Sequence, residues 1–354
     1  MEARRRLRLE PWGVGYGGSW QDTGQEQGEG ETAANTLDSR AVEIEVPLDA
    51  WRGLRPTAPA AISKVLFLDG VRRIEARGLL DDSDGQTFAA LGSCAVGAVE
   101  CSPAGGTVAR AAIEPVVERW CAIATDRLKE PDLEVRSMAG AQALVYRMVA
   151  AKGDDQQAPI DELQRLMREA ESRMATRLRR TLAHDAAAEQ VAGGALLVCD
   201  GPRPLLGADE RVVGYLKSLQ QQRLPPAAFA AVRALEEGER SPIYVVGSGP
   251  HARFEWYLRL RDPRPWLHSL AGAVRLQAHA GEEPSATLGA ARQVADWSAS
   301  YLPRFATRAH QDARAPQQLL PVRALEENLR RRLGNAALLR RRIEVALAEG
   351  TGES

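Results

Sequence analysis

The segments KVLFLDG (64–70) and ALLVCDG (195–201) decide the fold predicted for this chain. Each is a continuous apolar run that ends in Asp-Gly, which is typical of a buried strand that stops at a polar edge. Between them, apolar residues recur every three or four positions through IDELQRLMREAESRMATRLRRTLAHDAAAEQ (160–190), directly after Pro159. This spacing predicts a long amphipathic helix between the two strands.

Other segments extend this pattern in both directions. Further strand patterns cover 41–46, 71–80, 89–101, 210–219, 242–248, 253–260 and 272–279, and mixed helical spacing covers 108–127 and 134–151. In the C-terminal third, two segments separated by Gly334 each carry one apolar stripe, which predicts two further helices. We therefore expect an α/β fold in which one mixed sheet is flanked by helices, with additional C-terminal helices.

Length and composition indicate a folded protein with a large core. The chain has 354 residues, of which 44% are hydrophobic, and its 46 Lys and Arg against 47 Asp and Glu give a net charge of −1. This balance excludes a nucleic-acid binder that relies on bulk positive charge. A stretch dominated by Gly, Gln, Glu and Thr predicts a flexible N-terminal segment over 1–38, followed by one folded domain over 39–348 and a disordered tail over 349–354.

The cysteines and the hydropathy of the sequence indicate the cellular compartment in which the protein is expected. The four cysteines form no CxxC pair, so a reducing environment is expected and a structural zinc site is not. No apolar run approaches the roughly 20 residues that a membrane helix needs, so we expect a cytoplasmic protein that does not contact a membrane. The P-loop, HExxH and GxSxG motifs are absent, which argues against those three kinds of catalytic site.

Asp69 and Asp200 are the strongest candidates for chemistry. Either Asp-Gly pair alone is more often an ordinary turn, but both follow buried apolar runs, where a carboxylate is costly unless it is solvated, paired or bound to a cation. If the two strands are neighbours, both carboxylates meet at one sheet edge. Such a pair suits one or two divalent cations, which can hold a phosphodiester and activate water.

Other candidates carry weaker signals. His310, near Asp312 in a polar segment, is either a metal ligand or proton shuttle, or a solvated loop histidine. Glu171 lies near the edge of the helical apolar stripe, and Glu169 has a simpler interpretation as an i,i+4 surface ion pair with Arg173.

Basic and aromatic side chains offer possible nucleic-acid contacts. Arg173, Arg177 and Arg180 on the long helix, together with Lys217, would hold a phosphate backbone if they lie near the carboxylates, although arginines on such helices more often form a solvated face. Trp256 and Tyr257 should point to opposite faces of their strand, so we expect one of them in the core.

The ordered set of motifs resembles the NurA family of nucleases. This family has a ribonuclease H-like core, depends on manganese or magnesium, and acts with the hexameric HerA translocase in DNA end processing and in some defence systems. The resemblance covers most of the chain, and its last block is the most specific. The segments that carry it are FLDG (67–70), VCDGPRPLL (198–206), ERVVGYLKS (210–218), FEWYLRL (254–260) and HQDARAPQQLLPVRALEENLRRRLGNAALLRRR (310–342).

The resemblance implies a metal-dependent deoxyribonuclease that acts on single- or double-stranded DNA as a 5′–3′ exonuclease, an endonuclease or both. It implies that Asp69 and Asp200 bind Mn²⁺ or Mg²⁺ and that His310 is the C-terminal active-site histidine. Glu171 would complete the site, with Glu169 and Glu189 as alternatives. The implied partners are DNA, a HerA-like hexameric ATPase and a second copy of the chain. The alternative is a NurA-like subunit that binds DNA or the ATPase and has little or no cleavage activity.

Overall fold

The computed structural model describes residues 6–9, 37–56, 61–82, 85–103, 111–128, 130–136, 143–189, 194–204, 206, 211–217, 223–262, 268–308, 310–312 and 314–352. These residues form an α/β structure in which a mixed sheet is flanked by helices. The strands are β1 (Arg6–Leu9), β2 (Ile62–Asp82), β3 (Gly85–Cys101), β4 (Ala111–Ala124), β5 (Leu133–Val135), β6 (Leu144–Ala151), β7 (Gly194–Asp200), β8 (Val212–Leu216), β9 (Tyr244–Val246), β10 (Arg253–Arg259) and β11 (Ala273–His279).

The helices are α1 (Ser39–Val42), α2 (Ala158–Glu189), α3 (Pro226–Arg233), α4 (Pro284–Tyr301), α5 (Leu320–Arg332) and α6 (Ala336–Gly352). Short 3₁₀ helices cover Leu48–Ala50, Gly249–His251 and Leu302–Phe305. Within the part of the chain that the structure describes, no helix has both the length and the hydropathy to cross a membrane.

The order of strands places β2 at the centre of the sheet. Ten strands follow the order β5-β6-β4-β3-β2-β7-β8-β11-β10-β9, and β1 pairs separately with β2. Strands β2, β3 and β4 form an antiparallel meander, whereas β7 is parallel to β2 and β8 is parallel to β7. In this register Leu68 lies opposite Cys199, and Asp200 lies opposite Tyr215. Residues at the carboxyl ends of β7 and β8 therefore lie level with the middle of β2.

Helices cover both faces of this central part. On one face, Leu66, Leu68 and Leu197 are buried with the apolar stripe of α2. On the other face, Phe67 and Val198 are buried with residues of α4 and α5. Successive side chains of β2 and β7 point to opposite faces of the sheet, which determines the residues that face each helix layer. Each aliphatic or aromatic side chain buried in this way contributes about 1.5–3 kcal/mol to the free energy of folding.

Several predicted elements are confirmed. The long helix appears as α2, and the patterns at 89–101, 195–200, 210–219, 242–248, 253–260 and 272–279 appear as β3, β7, β8, β9, β10 and β11. The two C-terminal helices, α5 and α6, are separated at Gly334, whose φ of 82° is favoured by glycine at a helix end.

The predicted structure of three segments, 41–46, 108–127 and 134–151, is wrong. The described residues of segments 108–127 and 134–151 are not helical, because they include β4, β5 and β6, which pair with the sheet. Segment 41–46 is not a strand, because α1 begins at Ser39 with the Asp38 side chain accepting the Ala41 N–H at 2.8 Å. The patterns at 64–69 and 71–80 are confirmed as strand, but the predicted strand end at Asp69 is wrong, because both belong to the single 21-residue strand β2, with an irregularity between Ile74 and Ala76.

The ends of the chain differ in part from the predicted boundaries. Strand β1 lies inside the predicted flexible segment 1–38 and pairs antiparallel with Gly78–Asp81 of β2, whereas 10–36 lie outside the described residues. Helix α6 continues to Gly352, beyond the predicted domain end at 348.

Candidate metal centre

Three carboxylates converge where β7 ends beside β2. Asp69 follows Leu68 in β2, Asp200 is the last residue of β7, and Glu326 lies on α5. One ligand oxygen from each lies within 4.8 Å of the other two. The expectation that the two strands are neighbours and bring Asp69 and Asp200 together is confirmed.

Asp69 is the most deeply buried of the three, with 5% of its surface exposed. Its Oδ1 accepts the Gly70 N–H at 2.8 Å, whereas its buried Oδ2 has no hydrogen-bond partner. Burial and the charge of Asp200 raise the pKa of Asp69 well above its ordinary value. A buried carboxylate oxygen without a donor is costly, and a divalent cation with oxygen ligands would offset that cost. The residues present therefore fit a metal ion.

Asp200 forms an ion pair with a lysine of the same chain. The Lys217 ammonium lies 2.5 Å from Asp200 Oδ2, and both side chains are little exposed. The main chain at Lys217 is fixed, because Gln317 Nε2 donates to the carbonyls of Lys217 at 2.9 Å and Ala273 at 2.8 Å. Tyr215 fixes Gln317 in turn by donating its hydroxyl to the Gln317 carbonyl at 2.8 Å.

Glu326 is the ligand candidate that sequence reasoning missed. It lies beside the apolar stripe of α5, which buries Val322, Leu325 and Leu329. Arg314 Nη2 donates to both Glu326 oxygens, at 3.3 and 3.1 Å. The only local signal was an acidic residue next to the apolar stripe, which is also common on solvated helix faces.

Glu171 approaches the site from α2, on the opposite face of the sheet. A Cβ atom at position 70 would lie less than 3.0 Å from Glu171 Oε1, so the carboxylate occupies the space left open by Gly70. Burial and the charge of Asp200 raise the pKa of Glu171 from 4.5 to about 8. Glu171 thus lies next to the site, although it does not belong to the group of three carboxylates within 4.8 Å.

The two alternatives to Glu171 differ from it in their surroundings. Glu169 is exposed and pairs with Arg165, so the expected pair with Arg173 does not form. Arg173 instead donates to Glu118 on β4 at 2.6 Å. The side chain of Glu189 lies outside the described residues.

His310 is exposed in a turn between α4 and α5. Among the described residues, it is not part of the group of ligand atoms around Asp69. Asp312, two residues later, accepts the Arg314 N–H at 2.7 Å and has Arg323 Nε at 3.8 Å. Asp312 is therefore tied to basic side chains of its own loop and of α5.

The predicted nucleic-acid contacts are divided between two places. Lys217 lies at the carboxylates, whereas Arg173, Arg177 and Arg180 are exposed on α2. The two candidate aromatic residues cannot stack on bases from the protein surface, because both Trp256 and Tyr257 are buried, on opposite faces of β10.

The chain leaves Asp200 by a tight crossing over β8. Gly201 has a φ of 93° and exchanges backbone hydrogen bonds of 2.9 and 2.8 Å with Tyr215. A Cβ atom at Gly214 would lie less than 3.0 Å from the backbone of Arg203, so this crossing requires glycine at position 214. The crossing helps to fix the end of β7 on which Asp200 lies.

The arrangement offers hard oxygen ligands, a nearby ammonium group and a protonatable glutamate. Such a set is suited to holding a divalent cation and an anionic group together. In comparisons with known proteins, no family model and no curated protein matches this chain.

Proposed function

We propose that the protein is a divalent-metal-dependent deoxyribonuclease that hydrolyses phosphodiester bonds with Mn²⁺ or Mg²⁺. The observation that carries the proposal is the convergence of Asp69, Asp200 and Glu326 within 4.8 Å, together with the buried, unpartnered Oδ2 of Asp69. Carboxylates that converge repel one another, and the buried Oδ2 of Asp69 has no donor that offsets this cost. Their oxygen ligands are of the type that Mg²⁺ and Mn²⁺ prefer.

Each residue has a distinct part in this proposal. Asp69, Asp200 and Glu326 would hold the ion, and Glu171 would add a fourth carboxyl group from across Gly70. When bound, such an ion polarises a phosphate and lowers the pKa of a coordinated water. The His310 imidazole would protonate the leaving oxygen. Lys217 and the α2 arginines Arg173, Arg177 and Arg180 would contact the DNA backbone.

The strand order supports a ribonuclease H-like core. The three-stranded antiparallel meander of β2, β3 and β4 continues through β7 and β8, which run parallel to β2. The resemblance to NurA in the motifs at Asp69, Asp200 and His310 supports DNA as the substrate, a HerA-like hexameric ATPase as the partner, and a homodimer.

The test is cleavage of linear, end-labelled single- and double-stranded DNA with Mn²⁺, Mg²⁺ or EDTA, with and without a HerA-type ATPase. We expect metal-dependent cleavage that falls by about 100-fold or more in Asp69→Asn and Asp200→Asn. Glu326→Gln should also lose activity, whereas Glu327→Gln, on the exposed side of α5, should retain it.

Two outcomes contradict the proposal. Cleavage that survives the Asp69 and Asp200 substitutions would show that the carboxylates are not the catalytic centre. Binding of DNA or of the ATPase with no cleavage under any condition would favour a NurA-like binding subunit instead.

A further inference from the structure

Two of the three clustered carboxylates carry a cation from the protein itself. Lys217 forms an ion pair with Asp200 and Arg314 forms one with Glu326, whereas Asp69 Oδ2 has no hydrogen-bond partner. We propose that Lys217 and Arg314 are internal counter-ions that a divalent metal must displace, so that they set the affinity of the metal centre. This inference rests on the proposed function, because it assumes that the cluster binds a metal.

Lys217 competes with the metal for the same carboxylate. Its ammonium is 2.5 Å from Asp200 Oδ2, with 14% of the lysine and 12% of the aspartate side chain exposed. Water therefore screens this pair weakly, and its attraction is stronger than that of a surface pair. A cation that is shared among Asp69, Asp200 and Glu326 needs the Asp200 carboxylate at close range. Repulsion between a metal ion at this carboxylate and the Lys217 ammonium therefore opposes metal binding while the ion pair stays in place.

The local structure allows Lys217 to leave without moving the backbone. The Lys217 carbonyl is held by Gln317, which is itself anchored to Ala273 and Tyr215. The flexible four-carbon side chain can rotate while this anchor remains in place. The lysine can therefore exchange with a metal as a side-chain movement alone.

Arg314 is the weaker of the two counter-ions. Its side chain is 53% exposed, and both of its hydrogen bonds to Glu326 use the single atom Nη2. Arg314 also has a second carboxylate within reach, because its Nε lies 3.9 Å from Asp312 Oδ1. Solvent screening and this alternative partner make its displacement easier than that of Lys217.

The test is Mn²⁺ binding to the full chain without DNA, followed by the electron paramagnetic resonance signal of free Mn²⁺. Lys217→Met should bind Mn²⁺ about tenfold more tightly than wild type, which corresponds to about 1.4 kcal/mol. Arg314→Met should bind it about threefold more tightly. The matched control is Lys64→Met, because Lys64 pairs with Glu100 at 3.9 Å, five residues before Asp69 on β2.

The outcomes separate this inference from the proposed function. If wild type binds no Mn²⁺, the metal centre is wrong and this inference fails with it. The same holds if Asp200→Asn binds Mn²⁺ with the affinity of wild type. If wild type binds through Asp200 but Lys217→Met binds equally or more weakly, the counter-ion role alone fails. Lys217→Gln, which also removes the charge, replaces Lys217→Met in every comparison if the methionine variant does not fold.

Discussion

At position 70, the absence of a side chain decides where a carboxylate from another element lies. A glycine after Asp69 leaves room for another group to approach the backbone of β2. In the structure, that room is filled by Glu171 Oε1. Gly70 therefore explains how an acidic residue on α2 can lie next to carboxylates that belong to the opposite face of the sheet.

Gly70→Ala should displace the Glu171 carboxylate and leave the fold intact, because the atom in conflict is the end of a flexible side chain. We expect metal-dependent cleavage to fall by about 100-fold, with an unchanged urea unfolding midpoint. The control is Gly289→Ala in α4, where no atom lies within 4 Å of the added Cβ. That change should stabilise the protein by about 0.5–1 kcal/mol. Full activity of Gly70→Ala would show that the position of Glu171 does not matter for cleavage.

Glu171 should also make stability depend on pH. Its pKa is raised from 4.5 to about 8, so over this range the folded state keeps a proton that the unfolded state releases. The free energy of unfolding of the metal-free protein should therefore fall as pH rises from 4.5 to about 8. Glu171→Gln should reduce this fall without abolishing it, because burial also raises the pKa of Asp69. Urea unfolding in EDTA across this range measures both slopes, and parallel curves would contradict the role of Glu171.

At the scale of elements, local patterns predicted the helices and strands whose periodicity is unambiguous. The sequence of β4 predicts a helix because its apolar residues satisfy helical spacing over short windows, whereas pairing with β3 makes it a strand. Pro115, inside β4, argued against a helix interior. Local sequence located Asp69 and Asp200 because each follows a buried apolar run. It could not locate Glu326, since nothing local states how α5 lies against the sheet.

One buried cation links α3 to the connection between β10 and β11. Arg259 is fully buried and donates to four carbonyls: Leu235 at 3.0 Å, Ala271 at 2.6 Å, Arg233 at 3.2 Å and Ser269 at 2.6 Å. Two of these carbonyls lie at or just after the end of α3, where a positive charge is favourable. No apolar side chain can replace these donors.

Arg259→Met should therefore destabilise the protein by about 3 kcal/mol or more, because buried carbonyls lose a charged donor. Urea unfolding followed by circular dichroism measures the change. The exposed Arg331 pairs with Glu327 at 3.9 Å, so Arg331→Met should change stability by less than about 1 kcal/mol. Equal unfolding midpoints for the Arg259 variant and wild type would show that the four hydrogen bonds contribute nothing net.

At the scale of the whole molecule, the four cysteines indicate how well the core is shielded from solvent. All four are buried and unpaired, and burial raises the pKa of Cys94 to about 12, of Cys101 to about 11 and of Cys121 to about 12. Burial also raises the pKa of the Cys199 thiol. Thiolate formation is thus suppressed throughout the fold.

The native protein should accordingly react with Ellman's reagent at pH 8 far more slowly than free cysteine does, and all four thiols should react in denaturant. The control is the same titration after reduction and desalting, which excludes prior oxidation. A thiol that reacts at the rate of free cysteine in the folded protein would show that its surroundings open readily.

The central sheet changes width at the carboxylates, because β7 and β8 stop there while β2 continues to Asp82. The continuing part of β2 is bounded by α2 on one side, through Arg72 and Gln164, and by the end of α5 on the other, through Arg73 and Leu333. Asp69 therefore lies at the point where β2 begins to extend beyond β7 and β8. Under the proposed nuclease function, a nucleic-acid strand that crossed β8 would meet this continuing part of β2 beyond Asp69, so the site would accept a strand terminus more easily than an internal segment.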